Sequence, residues 1–269
     1  MIRSCDDMSE IPKINTKQTK NNIVKFIQNK VSKANVDGLV IGLSGGIDST
    51  LAAYLACEAV GSDKVFGIIM PSSTTPTEDK LHGTDIAQKL SIQYKEIAID
   101  SILNEFLIVS QIKGDIKPIG NLKARIRMSI IYYFANSKNY LVCGTGNKSE
   151  NLIGYFTKYG DGACDIEPIG DLYKTNVYEL SKYLNIPQEL IDKPPRAGLW
   201  NNQTDEDEIG MTYELLDKIL YSFTEKNQIS KKIANELSID VDEVEMIIKK
   251  VQTNEHKTKL PESPKKTIL

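Results

Sequence analysis

The sequence predicts an α/β fold: a doubly wound, Rossmann-like parallel sheet with flanking helices and a helical C-terminal part. Two observations carry the prediction. Short β-branched apolar runs alternate with stretches of helical periodicity through the first half of the chain, and from Ile209 onward only helical patterns remain. A strand-helix-strand rhythm makes parallel neighbours, because each crossover returns the chain to the same end of the sheet. The expected organisation is one domain over residues 1–259 and a tail over 260–269.

The elements follow in order. Residues 16–34, TKQTKNNIVKFIQNKVSKA, set Ile23, Phe26, Ile27 and Val31 at helical spacing, as a helix covering the sheet requires. Residues 36–42, VDGLVIG, read as a buried strand and 65–70, VFGIIM, as another, with the helical STLAAYLACEAVG between them ending at Gly61. TEDKLHGTDIAQKL then reads as helix, IQYKEIAI as strand, DSILNEFLIVSQI and NLKARIRMSIIYYFANSK as helices, and YLVCGT as strand. Beyond Gly160, DLYKTNVYELSKYLN is helical. IPQELIDKPPRAGLWNNQTDEDE reads as a loop, punctuated by Pro194-Pro195 and an acidic run.

Composition sets outer limits. With 41% hydrophobic and 26% charged residues the chain can bury a real core, and its net charge of -3 gives no basic field for nucleic acid or an anionic membrane. Cys5, Cys57, Cys143 and Cys164 form no CxxC pair, so no zinc knuckle or redox dithiol is spelled out. The opening MIRSCDDMSE has no signal-peptide core, and no apolar run approaches the ~20 residues that span a bilayer. A cytoplasmic protein with reduced thiols is expected, without membrane or nucleic-acid partners.

Chemistry concentrates where strands end. In a doubly wound sheet ligands bind outside the carboxyl ends of the strands, and both LSGGIDST and GTGNKSEN fall there. Ser44, Gly45 and Gly46 between a strand and a helix let backbone N–H groups point at an anion. The common phosphate loop, GxxxxGK[ST], supplies a lysine that is missing here, which argues against a kinase or GTPase. Asp48 stands in the loop instead, suited to Mg²⁺ beside bound phosphates.

The string SGGIDS resembles the pyrophosphate loop of the N-type ATP pyrophosphatases. That resemblance implies cleavage of ATP between its α and β phosphates to activate a carboxylate or carbonyl as an adenylate. Within that class the upstream GNLKARIRM, the stretch GTGNKSENLIGYFTKYGDGACD, DLYKT and EHKTK resemble, in this order, the NAD synthetase family over most of the chain. The implied reaction adenylates the nicotinate carboxylate of deamido-NAD with ATP and then displaces AMP with ammonia. The implied cofactor is Mg²⁺, with ATP as co-substrate.

Residue roles follow from this resemblance together with the chemistry. Gly42, Leu43, Ser44, Gly45, Gly46, Ile47, Asp48 and Ser49 are expected to cradle pyrophosphate, and Asp48 and Glu150 to hold the metal, although either acid also suits a helix N-terminus. Thr145, Lys174 and Arg196 match ATP-contact positions; Thr145 alternatively caps a helix and Lys174 alternatively sits solvated on the surface. Arg125, Tyr132, Lys158, Asp165, His256 and Lys257 are the expected deamido-NAD contacts, with core packing open for Tyr132 and a solvated helix face expected for Arg127. Asp161 is expected to face ammonia as a catalytic carboxylate, or else to form a plain Asp-Gly turn.

Two places depart from the family pattern. Arg196 stands where the family has threonine or serine, and His256-Lys257 is followed by TKLPES in place of arginine and a proline pair. Only residues 1–15 precede the first helix, fewer than a glutaminase domain needs, so ammonia is the expected nitrogen source. The resemblance also implies a homodimer, with the apolar face of MSIIYYFA as interface or as core.

Rival readings are a tRNA thiolation enzyme, a GMP synthetase-like enzyme and a DNA reader. Thiolation needs reactive cysteines, whereas Cys57 and Cys143 fall in a helix and a strand as buried thiols do. Residues 229–251 scan like a helix-turn-helix, but from 229 to 259 six lysines meet six acids, and acids open the second helix. Two packing helices that deliver His256 and Lys257 are expected there.

Overall fold

The computed structural model describes residues 11–112, 114–200 and 203–264, so Cys5 and the end of the expected tail lie outside the described residues. Strands β1 (Gly38–Gly42), β2 (Val65–Ile69), β3 (Gln93–Glu96) and β4 (Tyr140–Cys143) form a parallel sheet in the order β3-β2-β1-β4. Leu39 pairs with Val65 on one side and with Leu141 on the other. The chain runs outward from β1 to β3 and then returns to the opposite flank of β1. The connections leaving β1 and β4 therefore diverge, which opens a crevice at the carboxyl end of the sheet.

β1 shows why its run of apolar residues reads as continuous. Leu39 and Ile41 face one side and Val40 the other, and all three are fully buried. The Leu39 side is covered by α1 (Thr16–Ala34), α2 (Ile47–Val60) and α3 (Thr77–Lys89). α2 is apolar around most of its circumference because it lies between the sheet and α1; its Leu51, Ala52, Ala53, Leu55 and Ala56 are all fully buried. Complete burial of a side chain such as Leu55 contributes ~1.5–3 kcal/mol. Gly61, with φ +89, ends α2 where a side chain would be strained.

α4 (Asp100–Ser110) and α5 (Ile116–Lys138) lie on the Val40 side, where Ile68, Ala135 and Val142 meet. β3 is solvated along its length and carries Lys95 and Glu96, as an edge strand does to discourage further pairing. The expected strand IQYKEIAI is thus confined to four residues.

After β4 come α6 (Lys148–Ile153), α7 (Lys174–Tyr183), α8 (Gln188–Ile191) and α9 (Asp205–Ile209). The last two correct the expectation of an unbroken loop. Pro187 provides the extended N-cap of α8, and the Thr204 hydroxyl accepts from the Asp207 N–H to start α9. The C-terminal part comprises α10 (Tyr213–Thr224), α11 (Ser230–Leu237) and α12 (Val241–Asn254). Its core of Leu216, Ile219, Ile233, Val244 and Ile247 includes Ile153 of α6, which joins it to the crevice. Asp240 and Glu243 form a capping box on α12, so the acids that discouraged the DNA reading start a helix.

Candidate active site

A cavity of about 540 Å³ opens at the divergence of β1 and β4. The loop after β1 forms one wall. The Leu43 N–H donates to the Ile68 carbonyl at 2.9 Å, and the Ser44 and Ser49 hydroxyls lie 3.0 Å apart across the turn. Gly45 has φ +75, and a Cβ there would lie 2.0 Å from the Asp79 carbonyl oxygen, so only glycine fits. Gly46 caps α2 without a side chain, leaving the first-turn N–H groups of α2 to an anion.

The block after β4 meets this loop through Asn147, which is fully buried. Its Oδ1 accepts the Glu150 N–H at 3.0 Å, and Glu150 reaches back to the Asn147 N–H at 3.4 Å, closing a capping box on α6. The amide nitrogen of the same side chain donates to Asp48 Oδ1 at 2.9 Å. One asparagine therefore starts the second helix and ties it to the acid of the first loop. Asn147 lies inside the GTGNKSEN motif, and an Asn three residues before Glu150 is a readable capping-box signal.

The lysine missing from the loop arrives from 126 residues away. Lys174 Nζ lies 2.5 Å from Asp48 Oδ2 and 3.6 Å from Glu150 Oε1, and its side chain is 1% exposed, so the solvated-surface alternative is excluded. It is fixed from both ends: its N–H donates to the Ser149 hydroxyl at 2.9 Å, and Ser149 donates to the fully buried Asp217, which also accepts the Thr175 N–H at 2.9 Å. Burial works against the Lys174 charge, but Asp48 and Glu150 outweigh it and keep the ammonium protonated.

Asp205 joins this group from the acidic run of the stretch read as a loop. It is 4% exposed and accepts from the Tyr155 and Tyr213 hydroxyls at 3.1 and 3.3 Å. Burial pushes the Glu150 carboxyl up to about 8 and raises that of Asp205 as well. Asp48 and Glu150 both pair with the one buried lysine and Asp205 lies within its electrostatic reach, so burial makes a second negative charge here costly, a cost that a bound cation would relieve. Among the described residues no cluster of three or more His, Cys, Asp or Glu side chains is arranged as a complete metal site. Asp48 and Glu150 fit Mg²⁺ of the kind that takes its remaining ligands from phosphate and water.

The expected nucleotide residues line the cavity: all of the loop except Gly45, together with Thr145, Lys174 and Arg196. Asp161 lines it too, accepting the Thr157 N–H at 3.0 Å. Solvent reaches Asp161 through the cavity, yet the enclosing protein raises its carboxyl, opposed by the Thr157 contacts and Arg127. Arg127 corrects the expectation of a solvated helix face. It lines the cavity, its Nε donates to the Met70 carbonyl at 3.0 Å, and burial lowers its pKa.

The expected deamido-NAD contacts divide. Lys257 lines the cavity, donating to the Gly154 and Phe156 carbonyls at 2.7 and 3.1 Å where α6 ends. Arg125, Lys158 and His256 form a chain beside it: the Arg125 guanidinium donates to the Lys158 carbonyl at 3.3 Å, and Lys158 Nζ to the His256 carbonyl at 2.6 Å. Tyr132 turns to Asp165, 3.3 Å away, which is anchored on β4 by the Val142 N–H at 2.7 Å. None of these five residues, which come from α5, the segment after α6 and the turn after α12, lines the cavity, so of the six expected contacts the structure brings only Lys257 into it.

Cys143 lines the cavity, but neither it nor Cys57 carries the signs of a reactive thiol. Cys143 is 3% exposed and its thiol is pushed up by burial; burial raises Cys57 to about 11. Neither has the thiolate character a catalytic cysteine needs.

Known proteins share this architecture. A family model described as NAD synthase matches residues 19–261. The NH(3)-dependent NAD(+) synthetase of Methanocaldococcus jannaschii is 49% identical over 247 residues, 91% of this chain and 95% of that protein. The corresponding synthetase of Methanococcoides burtonii is 46% identical over 91% of this chain and 94% of its own length. Among solved structures, NMN synthetase from Francisella tularensis matches with a TM-score of 0.83 at 36% identity, over 94% of this chain and 99% of that one. The NH3-dependent NAD synthetase from Campylobacter jejuni matches at 0.79 and 34%, over 94% and 100%. With the loop after β1, the asparagine-capped block after β4 and the buried lysine between them on one scaffold, this chain belongs to the NAD synthase family.

Proposed function

We propose that the chain is an ammonia-dependent NAD synthetase that converts deamido-NAD, ATP and ammonia to NAD, AMP and pyrophosphate. The observation that carries this reading is the convergence of Asp48 and Glu150, from two strand ends, on Lys174 beside the open N-terminus of α2. In the first step a nicotinate carboxylate oxygen bonds to the α-phosphorus of ATP and pyrophosphate leaves. In the second the ammonia nitrogen bonds to the acyl carbon and AMP leaves.

The residues act by holding charge in place, with no covalent enzyme intermediate. The N–H groups that open α2 receive phosphate oxygens, and Lys174 offsets charge that develops during transfer. Asp48 and Glu150 would hold Mg²⁺, which when bound neutralises phosphate oxygens. Asp161, held by the Thr157 N–H, lines the cavity with a raised carboxyl and is assigned to hold ammonium and take its proton.

A homodimer and a cytoplasmic location complete the proposal. Ile102, Phe106, Val109, Ile112, Ile116 and Tyr133 are 44–72% exposed on α4, its continuation and α5, an apolar surface that pairing would cover. Within MSIIYYFA, Ile130, Ile131 and Phe134 pack toward the sheet, and Tyr133 is the exposed apolar residue. No helix among the described residues is long and apolar enough to cross a membrane.

The test offers purified protein ATP, Mg²⁺ and ammonium with either deamido-NAD or the acid form of NMN. Preferential NAD formation supports the proposal. Preferential NMN formation would place the activity with that of the Francisella relative, and ammonium giving no amide with either acid would sink the reading.

A further inference from the structure

A second charged cluster meets the pyrophosphate loop at Gly45, whereas Lys174 meets it at Asp48. Asp79, in the first turn of α3, has a side chain only 9% exposed, and it does not cap its own helix. Its carboxylate accepts from Arg196 Nε and Nη2 at 3.1 and 2.5 Å and from Lys193 Nζ at 2.6 Å. Its backbone is pressed against the same loop, since it is the Asp79 carbonyl that bars a side chain at Gly45. Asp79, Lys193 and Arg196 all line the cavity, together with Ser44 and Gly46.

The two cations are not equivalent. Lys193 is 7% exposed, and an ammonium has three N–H groups. Its Nζ lies 2.6 Å from Asp79, 2.9 Å from the Gly45 carbonyl and 3.0 Å from His82 Nδ1, so its capacity is used in tying the loop to α3. Arg196 is 26% exposed and commits two of its five N–H groups to Asp79. Among the described residues its only other ion-pair partner is Glu78 at 3.9 Å, and Lys193 shares the same Asp79 oxygen. A guanidinium held on a carboxylate through Nε and Nη2, in a residue that lines the cavity with Ser44 and Gly46, is of the kind that recognises phosphate.

We infer that Arg196 grips the departing pyrophosphate, the β and γ phosphates of bound ATP, and that Asp79 is the positioning residue that aims it. Lys193 locks this wall to the loop through Gly45. The inference rests on the proposed α,β cleavage of ATP. In this arrangement Lys174 serves the bond that breaks and Arg196 the group that leaves. AMP, which lacks the outer phosphates, does not sense Arg196.

The experiment measures KM for ATP and for deamido-NAD and inhibition constants for pyrophosphate and AMP, in wild type and in Arg196→Ser, Arg196→Lys and Asp79→Asn. Loss of a charge-assisted contact predicts that Arg196→Ser raises the ATP KM and the pyrophosphate constant about tenfold, leaving the AMP and deamido-NAD constants unchanged. Arg196→Lys, with charge but no fork, recovers part of the loss. Asp79→Asn shifts the same two constants, and adding Arg196→Ser to it produces less than the sum of the separate effects. An unchanged pyrophosphate constant in Arg196→Ser, or equal shifts in all four constants, would overturn the inference. Wild-type enzyme releasing ADP would defeat the cleavage reading itself, before any variant is compared.

Discussion

Asn147 is where the two sequence motifs become one site, and replacing it by alanine removes two identifiable interactions. The first is the α6 cap, Oδ1 to the Glu150 N–H at 3.0 Å, for which loss of an N-cap costs about 1 kcal/mol. The second is the amide's 2.9 Å contact with Asp48, and a hydrogen bond to an ionised group contributes about 1.5–3 kcal/mol. Since Asn147 is fully buried, water does not replace either partner at once. The expected destabilisation is about 3 kcal/mol, a Tm decrease of roughly 6–12 °C for a chain of this size. Asn147→Asp keeps the capping oxygen but sets a second carboxylate oxygen against Asp48, so its deficit isolates the second interaction. Thermal unfolding is followed by circular dichroism and turnover by AMP release, each with and without Mg²⁺. A Tm within about 2 °C of wild type in Asn147→Ala would refute the stated energetics. A large Tm loss with undiminished turnover would refute the idea that Asn147 aligns Asp48 with Glu150.

Other perturbations give equally definite expectations. Burial raises the Asp217 carboxyl from 3.8 to about 6, so the folded state holds its proton more tightly than the unfolded chain. Its favourable contribution is complete below pH ~3.8 and is lost as pH rises through about 6; wild type should therefore lose roughly 2–3 kcal/mol relative to Asp217→Asn across that window, measured by urea unfolding at each pH. A pH-independent difference between the two proteins would contradict this. Gly45→Ala meets the Asp79 carbonyl and an unfavourable φ together, and should raise the ATP KM while costing at least about 1 kcal/mol of stability. Cys57→Ala and Cys143→Ala should both retain turnover, and thiol alkylation under native conditions should leave activity intact. Inactivation that follows modification of either thiol would reopen the thiolation chemistry.

Much of the scaffold was legible because buried parallel strands and amphipathic helices leave local signatures. Leu39, Val40 and Ile41 read as a strand because both faces of β1 are covered, and the ends of α2 were marked by Gly46 and Gly61. The pyrophosphate loop was legible for a similar reason: its glycines answer to local backbone geometry. What local pattern did not carry was pairing over distance. Lys174 is marked as an ATP contact by the family resemblance alone, and its pairing with Asp48, 126 residues away, comes only from the fold. Asp205 belongs to an acidic run whose plain reading is a loop, and only Tyr155 and Tyr213 distinguish it. Arg125 and Arg127 share one helix and one charge, and their different surroundings come from Lys158 and Met70, on other segments. The short helices α8 and α9 span too few turns to show a period, although Thr204 three residues before Asp207 was a readable cap.

The central claim is that the strand-end motifs of β1 and β4 form one site that splits ATP between its α and β phosphates to amidate deamido-NAD. Product stoichiometry tests it most directly: chromatographic analysis of the nucleotides, together with a pyrophosphate assay, during turnover with deamido-NAD, ATP, Mg²⁺ and ammonium. NAD, AMP and pyrophosphate are expected in equal amounts, with all three lost together in Asp48→Ala and in Glu150→Ala. ADP and inorganic phosphate as the nucleotide products, or AMP formation that survives both substitutions, would contradict it.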